Sequence, residues 1–105
     1  MIVGVLTLTV RLHGNRSLKA KRQVANSLKQ KLRNTFNVAV AEVEALDDHQ
    51  KLVVAVVTVA NDTAKVQSRL DKAQAMAEAV CPEELAGSNM EIFSAEADEA
   101  PGMML

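Results

Sequence analysis

The residues best placed to do chemistry in this chain are cations: Arg16, Lys19, Arg22, Lys29 and Arg33. The spacings between Lys19, Arg22, Lys29 and Arg33 are three, seven and four. At about 100° per residue on a helix, these four side chains share one quadrant, with Asn26 between them. At about 1.5 Å rise per residue they make a stripe roughly 20 Å long. A nucleic-acid phosphate backbone matches such a stripe in charge and length. Arg16 stands at the helix entrance, where unpaired backbone N–H groups favour an anion. Lys21 falls nearer the apolar face, which predicts a stem lying on the core and an ammonium reaching out to water. A row of cations is also what an ordinary solvated helix face looks like, and here it has no aromatic residues interleaved for base stacking.

Other side-chain chemistry is sparse. His13 and His49 are the only histidines, and both lie in or beside turns, where a solvated imidazole is commoner than a ligand or general base. Cys81 is the only cysteine and precedes Pro82 at a predicted helix end, a setting for a packed thiol rather than a nucleophile. One cysteine excludes an intrachain disulfide and a four-cysteine metal or iron–sulfur site within one chain. Glu44, Asp47 and Asp48 could ligate a divalent cation but read as a polar turn. No HExxH or GxxxxGK[ST] pattern occurs, and no acid has diagnostic spacing to a serine or histidine. No catalytic residue, metal or cofactor is therefore expected.

Charge is distributed unevenly. The 105 residues have a formal net charge of −1, yet residues 1–41 hold eight basic residues and no acid. Residues 42–105 hold four basic residues and all thirteen acids, so the two parts are +8 and −9. Such a split marks an anionic partner for one face, or serves solubility or attraction between subunits. Hydrophobic residues make up 49% of the chain but aromatic ones only 2%, Phe36 and Phe93, so the core must be aliphatic.

The elements that must hold these residues follow from periodicity. Ile2 to Leu12 alternates with period two, its even positions apolar, and predicts a strand. His13 to Arg16 is a turn. Ser17 is suited to cap a helix from Leu18 to about Asn34, although Ala20 stands where a capping box would place Glu or Gln. Asn37 to about Ala45 and Lys51 to Ala60 read as strands, joined by the polar turn around Asp47 and Asp48. Asn61, Asp62 and Thr63 precede a second helix ending near Val80. A last strand is expected over Asn89 to Phe93, and the acidic stretch 94–105 reads as a flexible tail.

The resulting order, β-α-β-β-α-β, predicts an α+β ferredoxin-like sandwich occupying residues 1–93, with a four-stranded antiparallel sheet and two helices on one face. Two helices leave the other sheet face open, and Val3, Val5, Thr7 and Thr9 would lie on it. An uncovered apolar face predicts self-association as a homodimer, with these four residues as interface candidates. No apolar run approaches the ~20 residues that span a bilayer. The start alternates like a strand instead of resembling a signal peptide, so no membrane partner and a cytoplasmic location are expected.

Two resemblances add to this reading. Acylphosphatases have this fold and cradle phosphate with an arginine in the loop after strand one and an asparagine on the next strand. Gly14, Asn15, Arg16 and Asn37 are loosely similar, which implies an anion-dependent hydrolase as a third alternative. Four segments resemble the YlxP-like bacterial proteins, small domains of unknown function. They are Met1-Ile2-Val3-Gly4-Val5-Leu6, Arg16-Ser17-Leu18-Lys19-Ala20-Lys21-Arg22, Phe36-Asn37-Val38-Ala39-Val40-Ala41-Glu42-Val43, and the Asn61-Asp62 pair. That family usually carries Glu where Ala20 stands here, a departure expected to weaken the helix start by about 0.5–1 kcal/mol. Its genes often lie among those for translation and ribosome maturation, which implies RNA or ribosomal particles as partners. Phosphate recognition would then fall to Arg16, Lys19, Arg22, Lys29 and Arg33 in a non-enzymatic accessory domain. The alternative is a homo-oligomeric interaction module using the apolar sheet face.

Overall fold

The computed structural model describes residues 1–81 and 85–96. The elements are β1 (Ile2–Arg11), α1 (Leu18–Thr35), β2 (Ala39–Glu44), β3 (Lys51–Ala60), α2 (Thr63–Val80) and β4 (Leu85–Ser94). The sheet order is β2-β3-β1-β4 with every pairing antiparallel, and both helices pack on one face. This is the ferredoxin-like sandwich that the element order predicts.

Alternation in β1 sorts the sheet into two faces. Leu6, Leu8 and Val10 are fully buried and lie opposite Val56, Val54 and Leu52 of β3. They meet Leu28 and Leu32 of α1 and Val66, Leu70, Ala73 and Ala77 of α2 in one core. Each buried leucine contributes about 1.5–3 kcal/mol relative to exposure, so aliphatic packing alone can close this core. Gly4 sets how closely α2 approaches. A Cβ there would collide with Val66 Cγ1 and would stand 2.7 Å from Leu70 Cδ1.

The helix starts are capped as the sequence predicts. Ser17 Oγ accepts from the Ala20 N–H at 3.1 Å, and an Asp62 oxygen accepts from the Ala64 N–H at 2.8 Å. The acid missing at Ala20 is compensated from upstream. Asn15 Oδ1 accepts from the Ser17 N–H at 3.4 Å, the donor that a capping-box glutamate would satisfy. The other end of the Asn15 amide donates to the backbone oxygens of Ser17 and His49, tying the β1–α1 turn to the β2–β3 turn.

β4 is longer than the predicted 89–93. It begins at Leu85 and pairs with β1 alone, with a register shift between Thr9 and Val10. Gly87 and Ser88 are turn formers by composition, but on an edge strand the ladder to β1 outweighs their preference. The pairing continues past 93. The Met1 ammonium donates to Ala95 O at 3.0 Å, and Ala95 N–H donates to Met1 O at 2.9 Å. Of the expected tail, residues 97–105 lie outside the described residues.

Candidate nucleic-acid interface

Helix α1 carries six basic residues and no acid, and its apolar face fixes which way each of them points. Ala25, Leu28 and Leu32 are buried against the sheet, so Lys19, Arg22 and Arg33 are exposed and Lys29 is half-buried at the margin. Gln23, Val24 and Ser27 line a pocket with Val80 and Cys81, so that flank of α1 faces α2. The basic quadrant lies roughly 130° around the helix from it, at about 100° per residue, turned away from α2. Among the described residues, no carboxylate pairs with Arg16, Lys19, Arg22, Lys29 or Arg33. Lys29 and Arg33 are spaced i, i+4, and Lys19 and Arg22 i, i+3. Each like-charged pair destabilises the free helix by about 0.2–0.5 kcal/mol. The stripe is thus an uncompensated positive edge that gains from an anion.

Lys21 corrects the sequence reading. Its side chain does not reach water; the residue is 2% exposed. Nζ donates to the carbonyls of Ala45 at 2.6 Å and Asp48 at 2.8 Å, and lies 2.8 Å from Glu42 Oε2. The apolar stem does lie on the core, but the β2–β3 turn closes over its end. Ala45, one of these two acceptors, has φ +56°, in the left-handed region. Lys21 is therefore a structural tie and no part of the stripe.

The remaining candidates scatter. Val3, Val5, Thr7 and Thr9 stand together on the open sheet face, half-buried by one another and by β3 and β4. Asp48 Oδ1 accepts from the Gln50 N–H, as a turn residue does. His49 contributes a carbonyl to Asn15, and Cys81 is buried at the end of α2. Among the described residues, no three of His, Cys, Asp and Glu gather where they could hold a metal ion. Arg16 and Asn37 do not meet. They flank opposite ends of the 18-residue α1, which is about 27 Å long at 1.5 Å per residue. Asn15 is already engaged with backbone oxygens, so the acylphosphatase-like grouping does not assemble.

Sequence reasoning missed a second basic cluster. Lys65, Arg69 and Lys72 of α2 line an open groove with Thr35, the last residue of α1, and with Phe36 and Asn37 just beyond it. Their spacings of four and three place them on one helix face, a signal hidden by the acidic average of residues 42–105. With them, nine of the twelve basic residues lie in α1 and α2, whose acids are Asp71 and Glu78 alone. Among the described residues the charge split is therefore one of layers: helices positive, strands and turns negative.

Residues 3–90 match the family described as "Protein of unknown function (DUF503)". The chain belongs to this family. No curated protein matches it significantly. Two solved structures are similar in fold. One is a protein from Nitrosomonas europaea named as a candidate antibiotic biosynthesis monooxygenase, at 6% identity and TM-score 0.55, covering 90% of this chain and 89% of that one. The other is Rv0793 from Mycobacterium tuberculosis, at 14% identity and TM-score 0.54, covering 95% of this chain and 100% of that one. At these identities the likeness is one of fold alone. No helix among the described residues is long and apolar enough to cross a membrane.

Proposed function

We propose that this member of the family is a non-enzymatic, cytoplasmic accessory domain that binds RNA or ribosomal particles through the outer flank of α1. One observation carries the reading: Lys19, Arg22, Lys29 and Arg33 form an acid-free stripe with no ion-pair partner among the described residues. Arg16, exposed at the start of α1, extends it. Recognition is of phosphates rather than bases, because the chain has no tryptophan or tyrosine and only two phenylalanines, Phe36 packed against the core and Phe93 on the open sheet face. Within the family, the Arg16–Arg22 segment supports placing the chain among the YlxP-like proteins. The test is co-sedimentation with ribosomes and with RNA, comparing wild type with the Lys19/Arg22/Lys29/Arg33→Glu variant. The variant is expected to remain in the supernatant; equal recovery of the two removes the stripe as the binding surface.

A second reading rests on a different surface. The open sheet face carries Val3, Val5, Val57, Val59 and Phe93, with Val59 53% and Phe93 47% exposed. A contiguous apolar face of this kind supports a homodimer. It lies on the opposite side of the molecule from the helices, so the two readings are compatible.

A further inference from the structure

We infer that the groove between the end of α1 and the first half of α2 is a phosphate-binding site for a nucleotide, distinct from the α1 stripe. The groove is open to solvent, measures about 640 Å³ and is lined by Phe36, Asn37, Lys65, Ser68, Arg69 and Lys72 among others. Three of these residues are cations and none is an acid. The volume suits a ligand of nucleotide size.

Arg69 is held ready for the ligand. Its Nη1 donates to Thr58 Oγ1 and, at 3.2 Å, to Val59 O. Thr58 is buried, and its hydroxyl in turn donates to Asn37 O at 2.8 Å. This chain of bonds uses one nitrogen of the guanidinium and leaves Nε and Nη2 to a ligand, the arrangement that favours two-point recognition of phosphate. Lys65 and Lys72 stand one turn to either side on the same helix face and make no ion pair among the described residues. Asp71 is the acid nearest in sequence; at about 100° per residue it lies off the face shared by Lys65, Arg69 and Lys72, and its Oδ1 accepts from Gln67 Nε2 at 3.0 Å. Asp62 precedes α2 as its cap. Its carboxylate is engaged with the Ala64 N–H, so the ligand is held by side chains rather than by the start of α2. Phe36 gives the groove an aromatic wall on which a base can rest.

The groove is separate from the α1 stripe: none of Lys19, Arg22, Lys29 and Arg33 lines it. The probe is 5′-AMP, titrated while backbone amide shifts are recorded by NMR. Shifts are expected at Lys65, Ser68, Arg69 and Lys72, with inorganic phosphate competing. The Lys65→Ala/Lys72→Ala variant should lose about tenfold or more in AMP affinity with unchanged thermal stability, since both side chains are exposed. The charge-reversed α1 variant should bind AMP like wild type. Competition by a short single-stranded RNA would show that the groove takes a nucleotide of a chain; its absence would favour free nucleotide. AMP shifts confined to α1, or equal AMP affinity in the Lys65/Lys72 variant, would overturn the site while leaving the RNA co-sedimentation result to decide the α1 reading.

Discussion

Lys21 Nζ and Glu42 Oε2 lie 2.8 Å apart on the helix-facing side of the sheet, joining the first turn of α1 to β2. Glu42 occupies a core-facing register position opposite Val54, next along β2 on that face from the buried Val40. A carboxylate there is tolerated because Lys21 neutralises it. The ammonium in turn has backbone carbonyls for its other donors. The pair fixes where the basic helix sits over the sheet.

Removing the ammonium should therefore cost far more than removing a surface charge does. Breaking a buried pair costs about 3–5 kcal/mol, and because Glu42 is 20% exposed and can turn toward water, Lys21→Met is expected to cost about 2–4 kcal/mol. Glu42→Gln should cost about 1 kcal/mol, since the ammonium keeps its carbonyls. Urea unfolding reads both from the midpoint. A Lys21→Met midpoint within error of wild type would show that the tie contributes nothing.

Gly4 and Gly87 should respond oppositely to alanine. At Gly4 the new methyl group collides with Val66 and Leu70 in the core, which should cost about 1–3 kcal/mol. At Gly87 nothing lies within 4 Å of a new Cβ. The smaller entropy of the unfolded chain should then stabilise by about 0.4–1 kcal/mol. Thermal midpoints of the two variants check this, and similar shifts in both would refute the close α2 approach at Gly4.

The sheet and helices were legible because each has strong local periodicity. Leu6, Leu8 and Val10 alternate, while Ala25, Leu28 and Leu32 repeat at helical spacing. The fate of Lys21 was not legible. Its partners are carbonyls of the β2–β3 turn, 24 to 27 residues away in sequence, and a backbone carbonyl leaves no residue-type signature. Arg69 was missed for a related reason. Its anchor, Thr58, is a core-facing position of β3, and only the packing of α2 on the sheet reveals the pairing. The α1 stripe was visible because it depends on one helix alone.

If phosphates occupy the stripe, salt should weaken binding in proportion to the contacts made. For single-stranded RNA the slope of log K against log salt is about −0.7 per phosphate, so four contacts predict about −3. Lys19→Ala should reduce the magnitude of that slope by about 0.7 while lowering affinity similarly for unrelated sequences. Fluorescence anisotropy between about 50 and 200 mM salt measures it. A slope near zero would mean that the contact is not with phosphates.

The open sheet face makes the last prediction. Three ten-residue strands about 33 Å long and the six-residue β2 about 20 Å long, spaced about 4.8 Å apart, present roughly 570 Å² in flat projection, and more as accessible area. A stable interface needs about 800 Å² per partner, so this face is large enough only if most of it is used. Val3 sits at its middle in one row, with Val59 on one side and Phe93 on the other. Both flanking side chains are about half exposed, so replacing them alters little inside the monomer. Val59→Glu/Phe93→Glu is therefore expected to give a monomer of near wild-type thermal stability, whereas the wild type sediments as a dimer at tens of micromolar. A dimer formed this way leaves both α1 flanks outward, and each can still meet a phosphate chain. Sedimentation equilibrium decides between the states. A wild-type monomer would remove the dimer without touching the RNA reading, because the stripe lies on the other layer.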